Sequence, residues 1–426
     1  MLVAAIFAAL LLMICINVPI AVALATCGVI GLLVTEGTSS LVTIALDMYD
    51  GSTKFSLIAI PMFVLAGAIM NAGGITDKLI NFVSAVIGFI RGGLAMVNIG
   101  VSLFFAEISG SAVADVAAMG SILIPQMKKR GYTNEFSAAV TSSSASLAII
   151  IQTSIPMILY AASANTSVEQ LFVAGIVPGL LGAAGLMSVA YLFAKRYNFP
   201  TEDAFAMARL RETFIEALPA FTLPVIILGG IFGGFVTATE AAGLAVIASL
   251  IVSAWYKNLD LDHLRRAMLD GGIQTAVVML LVAASVLMGG FLTRAQIPQQ
   301  LAESILSITT QQWAILLILN FFFLIVGFFL HSAAAIILVI PIVIPLITAA
   351  GIDPVHFGLV VTLNLAIGQQ TPPVASVLIT ACSVARANIW EVSKVNIWFV
   401  GVLLAVLMLC TYVPAVPMFL VEYFYR

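Results

Sequence analysis

The sequence predicts an all-α polytopic membrane protein with about ten crossing helices and two re-entrant helical hairpins. Hydrophobic residues make up 62% of its 426 residues and charged residues only 9%, whereas soluble domains carry roughly 25% charged residues. Uncharged runs such as 137–168, 271–293 and 395–421 exceed the ~20 apolar residues that a membrane-spanning helix needs. A repeat of polar motifs along the chain is the third observation.

Four pairs of polar or proline-containing motifs lie 217–220 residues apart. They pair Asn17-Val18-Pro19 with Thr237-Ala238-Thr239, Ile124-Pro125 with Ile344-Pro345, Gly131 with Gly351, and Thr153-Ser154-Ile155-Pro156 with Thr371-Pro372-Pro373. Matched intervals in the same order predict two structural repeats, which is how many secondary transporters are built. We assign 1–195 to the first repeat, 196–216 to a cytoplasmic connector and 217–426 to the second repeat.

The basic residues predict the orientation of the crossings. Clusters such as Lys128-Lys129-Arg130, Lys195-Arg196 and Arg265-Arg266 lie on the cytoplasmic side if 92–130 opens toward that side and 312–350 toward the other. Ten crossings follow, at 1–17, 19–35, 54–72, 134–163, 169–195, 217–236, 239–256, 272–293, 357–385 and 396–420. Both termini then face the periplasm. Because each repeat has an odd number of crossings, the two repeats are inverted relative to each other.

The segments 92–130 and 312–350 are predicted to enter and leave the membrane on one side. Each has a polar centre, Ser109-Gly110-Ser111 or Leu330-His331-Ser332, and is too short for two full spans and a loop. Non-helical backbone is tolerated at that depth only inside protein or beside a water-filled cavity. Two short, tilted full spans are the alternative. Amphipathic arm helices are predicted at 75–90 and 297–308, and a surface helix at 258–270.

Cation ligands are predicted at the two polar tips and at the helix breaks that face them. A desolvated cation needs several oxygen atoms, and a broken helix supplies carbonyl groups that an intact helix uses internally. The breaks are expected at Thr153–Pro156 and Gly368–Pro373, where proline removes backbone donors. The alternative is that these Ser and Thr side chains bond to their own helix or pack between helices.

Two ionisable residues are candidates for contact with a substrate, since charges at membrane depth are costly and mark function. Arg294 ends an apolar span, and its guanidinium can hold a carboxylate through two parallel hydrogen bonds. The alternative for Arg294 is a side chain that reaches the outer interface. His331 is either a proton site or a hydrogen-bonded tip residue.

Other functional classes lack their sequence signals. The chain has no phosphate-binding glycine loop and no nucleophile-elbow pattern, so we predict neither ATP hydrolysis nor any other enzymatic activity. The four cysteines lack metal-ligand spacing. No nucleic acid is expected as a partner. A channel with re-entrant loops and a membrane assembly subunit that does not transport are the rival functions.

Four segments are similar to one transporter family. They are Ser109–Asp115, Thr237–Gly243, Gly351–Gly358 and Gly368–Pro373. Over essentially its whole length the chain resembles the large membrane subunit of tripartite ATP-independent periplasmic (TRAP) transporters, of the C4-dicarboxylate and sialic-acid type. That family belongs to the ion transporter superfamily.

The resemblance implies a mechanism and a set of partners. An elevator-type transport domain would move on a static scaffold in a bacterial inner membrane, carrying a small organic acid anion with two or more Na⁺. A small four-helix membrane subunit, a periplasmic substrate-binding protein and membrane lipid are the implied partners.

The resemblance also implies three sets of site residues. The first Na⁺ site would comprise Ser109, Gly110, Ser111, Ala148, Ile151 and Thr153. The second Na⁺ site would comprise Gly327, Gly368, Thr371, Pro372 and Pro373. The substrate would contact Arg294, His331, Ser332 and Ser144. Relatives often have Gly in place of Ala148, Pro-Pro in place of Gln152-Thr153, and an acidic residue in place of His331, so ion number or substrate contact is expected to differ here.

Overall fold

The computed structural model describes residues 2–16, 18–151, 153–201, 204–258 and 260–425, without the side chains of 11, 15 and 107–109. Gln152 and the side chain of Ser109 therefore lie outside the described residues. Within those ranges the regular secondary structure is helical and no strand occurs.

Eleven α-helices form the first half of the described chain. They are α1 (Leu2–Cys15), α2 (Ile20–Glu36), α3 (Ser40–Ser52), α4 (Ala59–Ala72), α5 (Ile75–Ile87), α6 (Gly93–Ser109), α7 (Ala112–Lys129), α8 (Asn134–Ala145), α9 (Leu147–Ile150), α10 (Ile155–Ala164) and α11 (Val168–Arg196). Short 3-10 turns at Gly37–Ser39 and Phe55–Ile58 precede α3 and α4.

Ten α-helices form the second half of the described chain. They are α12 (Met207–Phe232), α13 (Ala238–Trp255), α14 (Leu261–Arg294), α15 (Ile297–Ile308), α16 (Gln312–Phe329), α17 (Ser332–Ala349), α18 (Pro354–Gly368), α19 (Ser376–Ala385), α20 (Ile389–Tyr412) and α21 (Ala415–Tyr425).

The polytopic all-α class is confirmed, because ten helical segments of the described chain are long and apolar enough to cross a membrane. Their identities differ partly from the predicted ten. The helices α16 and α17 are among them, whereas α1 is too short and the predicted crossing 357–385 is broken between α18 and α19. Length and hydropathy alone therefore do not separate a hairpin arm from a full crossing.

Two predicted boundaries were wrong, and one helix was missed. The surface helix 258–270 and the crossing 272–293 form one helix, α14, because Asp260 caps its start and no proline interrupts it. The crossing expected from 217 onward already begins at Met207, because residues 207–218 are mostly strong helix formers with no glycine or proline among them. The missed helix is α3, which lies between the predicted crossings 19–35 and 54–72 and contains the acidic residues Asp47 and Asp50.

The helices pack in two groups. In the first group, α14 lies against α2, α3 and α4, and α13 packs on α4 and α12. In the second group, the broken helices α8–α10 and α18–α19 pack among the hairpins and against α11 and α20. Every residue from Phe136 to Ala145 and from Val355 to Gly368 is buried. The broken helices thus occupy the protein interior, where breaks in the helical hydrogen bonding are shielded from lipid.

The helix boundaries repeat along the chain. Helices α5, α6, α7 and α8 start 219–222 residues before α15, α16, α17 and α18, respectively. Each hairpin also packs across to the other half, since α7 contacts α19 and α17 contacts α10. The repeat ranges and the inverted orientation stay predictions.

Candidate functional site

The tip of the first hairpin is a single left-handed glycine. Gly110 has φ +63°, a conformation that L-residues with side chains rarely adopt. A Cβ atom at this position would overlap the carbonyl oxygen of Thr153. The backbone N–H of Ile155 donates a long hydrogen bond of 3.5 Å to the Gly110 carbonyl. The fold therefore brings the tip against the first helix break, as predicted.

The first break is formed by a strained backbone and side-chain caps. Thr153 has φ +61°, which is an outlier for a β-branched residue. Its hydroxyl donates to the Ala106 carbonyl at 3.3 Å, one turn before the tip. The Ser154 hydroxyl donates to the Ile149 carbonyl at 2.8 Å and caps α10. Strained residues of this kind persist where the surrounding structure fixes them, and they cluster at functional sites.

The remaining predicted ligands of the first Na⁺ site are close to this break. Ala148 lies in α9 and Ile151 is the residue that ends α9, and both are buried. The Ser111 hydroxyl accepts a hydrogen bond from the Ala114 N–H and so caps α7. The Ser111 hydroxyl oxygen, which we predicted as a cation ligand, therefore also stabilises the start of α7.

The second tip meets its break through two glycines. A Cβ atom on Gly368 would lie 2.5 Å from the Gly327 Cα and 2.9 Å from the Gly327 carbonyl oxygen. The Val374 N–H donates to the Phe328 carbonyl at 3.3 Å. Between these contacts the chain turns through Thr371, whose hydroxyl donates to the Ile367 carbonyl at 3.0 Å, and through Pro372-Pro373. The predicted residues of the second Na⁺ site are thus assembled on one turn and the hairpin that it contacts.

A central cavity of about 510 Å³ lies between the two hairpin tips and the middle of α14. The polar residues on its wall are Ser111, Gln274, His331, Ser332 and Gln369, and Gly110 lies beside Ser111. The N-termini of α7 and α17 both border it, at Ser111 and His331. Unpaired N–H groups and the helix dipole make such N-termini attractive to anions. His331 is exposed in this cavity, and no side-chain bond caps α17.

Arg294 lies apart from both tips. It lines a second cavity of about 420 Å³, together with Asp47, Lys54, Ser163 and Gly289. Its two terminal nitrogens are 3.2 Å from a Glu36 carboxylate oxygen and 3.5 Å from an Asp47 carboxylate oxygen. In this conformation the guanidinium joins α14 to α2 and α3. The predicted contact of Arg294 with a substrate beside His331 is not formed here.

Ser144 is enclosed between α6 and α8. Its hydroxyl is 3.1 Å from Asn98 Oδ1 and accepts from the Ser102 hydroxyl at 2.9 Å, and Asn98 also donates to Thr141 at 2.7 Å. All four side chains are fully buried, and none of them lines the central cavity. The structure thus places Ser144 in a network that holds the hairpin on the broken helix.

A second buried network was not predicted. The Gln370 carboxamide donates to the Ser146 hydroxyl at 2.6 Å and accepts from the Ser143 hydroxyl at 2.8 Å, while Asn396 donates to the Gln370 carbonyl at 3.2 Å. It joins α8 and α20 to the second break. Gln370 directly precedes Thr371-Pro372-Pro373 in the sequence. Its position next to the predicted break could have identified it as part of this network. Gln274 was missed because it lies inside an apolar run.

The chemistry of these breaks fits a hard cation. Their polar atoms are hydroxyl, carboxamide and carbonyl oxygens, which hard cations prefer. Within the described ranges, no three His, Cys, Asp or Glu side chains are grouped as a transition metal would require. Asn364 Oδ1 in α18 and Ser142 Oγ in α8 are buried without a hydrogen-bond partner, so one side-chain oxygen on each broken helix is left unsatisfied.

Comparison with known proteins gives one consistent result. Residues 7–416 match the family model described as "Tripartite ATP-independent periplasmic transporter, DctM component". The chain is 38% identical over 409 residues to the isethionate TRAP transporter permease protein DctMQ of Oleidesulfovibrio alaskensis, covering 95% of this chain and 64% of that protein. It is 37% identical to the C4-dicarboxylate TRAP transporter large permease protein DctM of Pseudomonas aeruginosa, covering 88% of both.

Two further similarities concern substrate variety and fold. The sialic acid TRAP transporter large permease protein SiaM of Vibrio cholerae is 35% identical and covers 78% of each chain. The crystal structure of the Alcanivorax borkumensis YdaH transporter superposes with a TM-score of 0.67 over 89% of both chains. At 14% sequence identity, that likeness shows the fold alone.

Proposed function

This chain belongs to the DctM component of the tripartite ATP-independent periplasmic transporters, and from that premise we propose that it performs Na⁺-coupled uptake of a small organic acid anion. The single observation that carries the proposal is the central cavity, which two hairpin tips distant in sequence build together. A helix break lies opposite each tip. The proposed Na⁺ ligands at the breaks would therefore adjoin the central cavity, in which the anion would bind.

The anion would bind between the N-termini of α7 and α17. The first-turn N–H groups of α17 are available to a carboxylate, and so are those of α7 except the Ala114 N–H, which donates to Ser111. His331 and Ser332 stand at the start of α17. Most of the remaining wall is apolar, including Val277 and Ile155. An apolar pocket with a few placed polar groups is the usual form of a small-molecule site.

Na⁺ would bind at the two breaks and supply positive charge beside the bound anion. At the first break the candidates are Gly110, Ser111, Ala148, Ile151 and Thr153, with Ser109 as a further candidate outside the described side chains. At the second break they are Gly327, Gly368, Thr371, Pro372 and Pro373. Because each break contacts a hairpin tip, ligand binding at the break and closure of the tip would depend on each other.

Movement would occur along α14. This helix of 34 residues lines the central cavity at 273–278. At 282–294 it lines the cavity that contains Arg294, which we call the outer cavity. The two cavities have no lining residue in common. Sliding of the hairpin group on the group that contains α14 would carry the central cavity toward the outer one, as an elevator requires. We propose that Arg294 then exchanges its carboxylate partners for the substrate.

The names of the relatives guide the substrate class. Isethionate, C4-dicarboxylates, sialic acid and 2,3-diketo-L-gulonate are named for four of them, and all carry a carboxylate or sulfonate group. We propose that His331 and Ser332 contact the substrate. Ser144, by contrast, only helps to hold α6 against α8. A small membrane subunit and a periplasmic binding protein would complete the system in a bacterial inner membrane, with both termini periplasmic.

Uptake by reconstituted protein tests the proposal. Vesicles that contain this chain, its small subunit and its binding protein should accumulate succinate, isethionate or sialic acid only with a Na⁺ gradient, and uptake should saturate. Ohmic anion conductance without Na⁺ would favour a channel instead. Unchanged uptake when this chain is omitted would leave it an assembly subunit.

A further inference from the structure

A third cavity, of about 230 Å³, opens from the central cavity toward the first turns of α14. Val64, Ala114 and Gln274 line both cavities, so the two spaces are contiguous. One wall of the third cavity is α4 and α14, and the other is α6 and α7 of the first hairpin. Its residues near the start of α14 are Arg266 and Asp270.

The charges in this cavity do not satisfy one another. Arg266 and Asp270 are both exposed, and within the described residues no ion pair or hydrogen bond engages the Arg266 guanidinium. His263 also lines the cavity, but its ring bonds to Asp260 at 2.7 Å, outside the cavity wall. An unpaired guanidinium beside a continuous passage is a strong site for a carboxylate or sulfonate, because it offers a planar fork of donors.

We propose that Arg266 forms a second anion site on the route between the central cavity and the cytoplasm, with Asp270 beside it on the same cavity wall. This inference rests on the proposed function and deepens it, since it names where the anion goes after it leaves His331 and Ser332. Gln274, which lines both cavities, bridges the two sites with a carboxamide.

The local potential can be measured without transport. Ala118 lies on α7 and lines the third cavity only, so Ala118→Cys places a thiol opposite Arg266. The probes are the anionic reagent 2-sulfonatoethyl methanethiosulfonate, which resembles isethionate, and its trimethylammonium analogue. The ratio of their reaction rates with the Ala118→Cys protein reports the sign of the potential. The unsubstituted protein is the blank and should react little, because the described native cysteines are buried.

Four variants of the Ala118→Cys protein decide the matter. Arg266→Gln should lower the ratio of anionic to cationic rates at least about threefold, as removal of a nearby charge requires, and Arg266→Lys should keep it. Asp270→Asn should raise the ratio. Arg265→Gln is the matched control, since Arg265 neighbours Arg266 on α14 but does not line the cavity, and it should leave the ratio unchanged.

Competition shows whether the site binds the proposed ligands. Succinate or isethionate should slow the reaction of the anionic reagent with the Ala118→Cys protein that retains Arg266. Neither compound should slow this reaction in the Ala118→Cys protein that also carries Arg266→Gln. Equal ratios for Arg266→Gln and Arg265→Gln, or competition that survives Arg266→Gln, would overturn the inference. Neither result depends on uptake, so loss of the proposed function and loss of this site are distinguishable.

Discussion

The two hairpin tips reach their helix breaks in different ways. At the first tip, one left-handed glycine meets a strained threonine, and side-chain hydroxyls of Thr153 and Ser154 hold the break. At the second tip, two helices touch backbone to backbone at Gly327 and Gly368, and the carboxamide of Gln370 anchors the turn. The contact between tip and break thus depends on backbone conformation in the first half of the chain and on close helix packing in the second half.

The two breaks are therefore expected to respond to different substitutions. A closure that depends on φ is sensitive to any side chain at the glycine. A closure that depends on the close approach of two helices is sensitive to the volume of an added side chain. Its effect also depends on which of the two helices carries that side chain. If both breaks serve the same kind of ion, their chemistry is shared although their mechanical support is not.

The largest effect is expected from Gly110→Ala. The left-handed conformation costs a residue with a side chain about 1–2 kcal/mol, and overlap with the Thr153 carbonyl adds about 1–3 kcal/mol. We expect a clear drop in thermal stability and loss of uptake. Gly401→Ala is the control, because a Cβ there meets nothing within 4 Å. Equal behaviour of the two variants would contradict the described tip.

An asymmetric effect is expected at the second tip. A Cβ on Gly368 approaches backbone atoms of Gly327 to 2.5 Å, whereas a Cβ on Gly327 approaches the Gly368 Cα to 3.1 Å. Gly368→Ala should therefore destabilise by about 1–3 kcal/mol, and Gly327→Ala by less. Thermal unfolding in detergent measures the order. A larger loss for Gly327→Ala would show that the helices meet in another register.

A moderate effect is expected from Gln370→Ala. Removing the carboxamide deletes its hydrogen bonds to the buried hydroxyls of Ser143 and Ser146, at about 0.5–1.5 kcal/mol for each bond. The cost stays moderate because Ser143 keeps Asn396 Oδ1 at 2.7 Å and Ser146 keeps the Ser142 carbonyl at 3.3 Å. Gln369 is the neighbouring control, since its bonds are long, at 3.3–3.5 Å. Gln369→Ala should therefore cost less stability. If the two variants lose equal stability, the network does not anchor the second break.

The smallest stability effect and a strong uptake effect are expected from Arg294→Lys. Its ion pairs with Glu36 and Asp47 are partly exposed, and such pairs contribute about 0–1 kcal/mol. Lysine cannot reproduce a two-pronged contact with a carboxylate, so uptake should fall although the protein folds. Normal uptake by Arg294→Lys would restrict this residue to joining α14 to α2 and α3.

The sequence predicted the parts whose signal is local. The tip at Gly110, the prolines of the second break and the arm helix at 297–308 each carry residues that restrict the backbone directly. The placement of Arg294 and Ser144 could not be predicted, because it depends on which helices become neighbours in the folded chain. The length of α14 was underestimated because charged residues in its first turns look like a surface segment.

Na⁺-specific stabilisation would show whether both breaks bind Na⁺. The melting temperature of the purified protein should be higher in NaCl than in KCl at equal ionic strength, since saturation of one site 100-fold above its Kd adds about 2.7 kcal/mol. The difference should shrink in Ser111→Ala and in Thr371→Val, and persist in Ser121→Ala, whose hydroxyl bonds only within α7. Identical melting in the two salts, or an undiminished difference in both site variants, would show that the two breaks do not bind Na⁺.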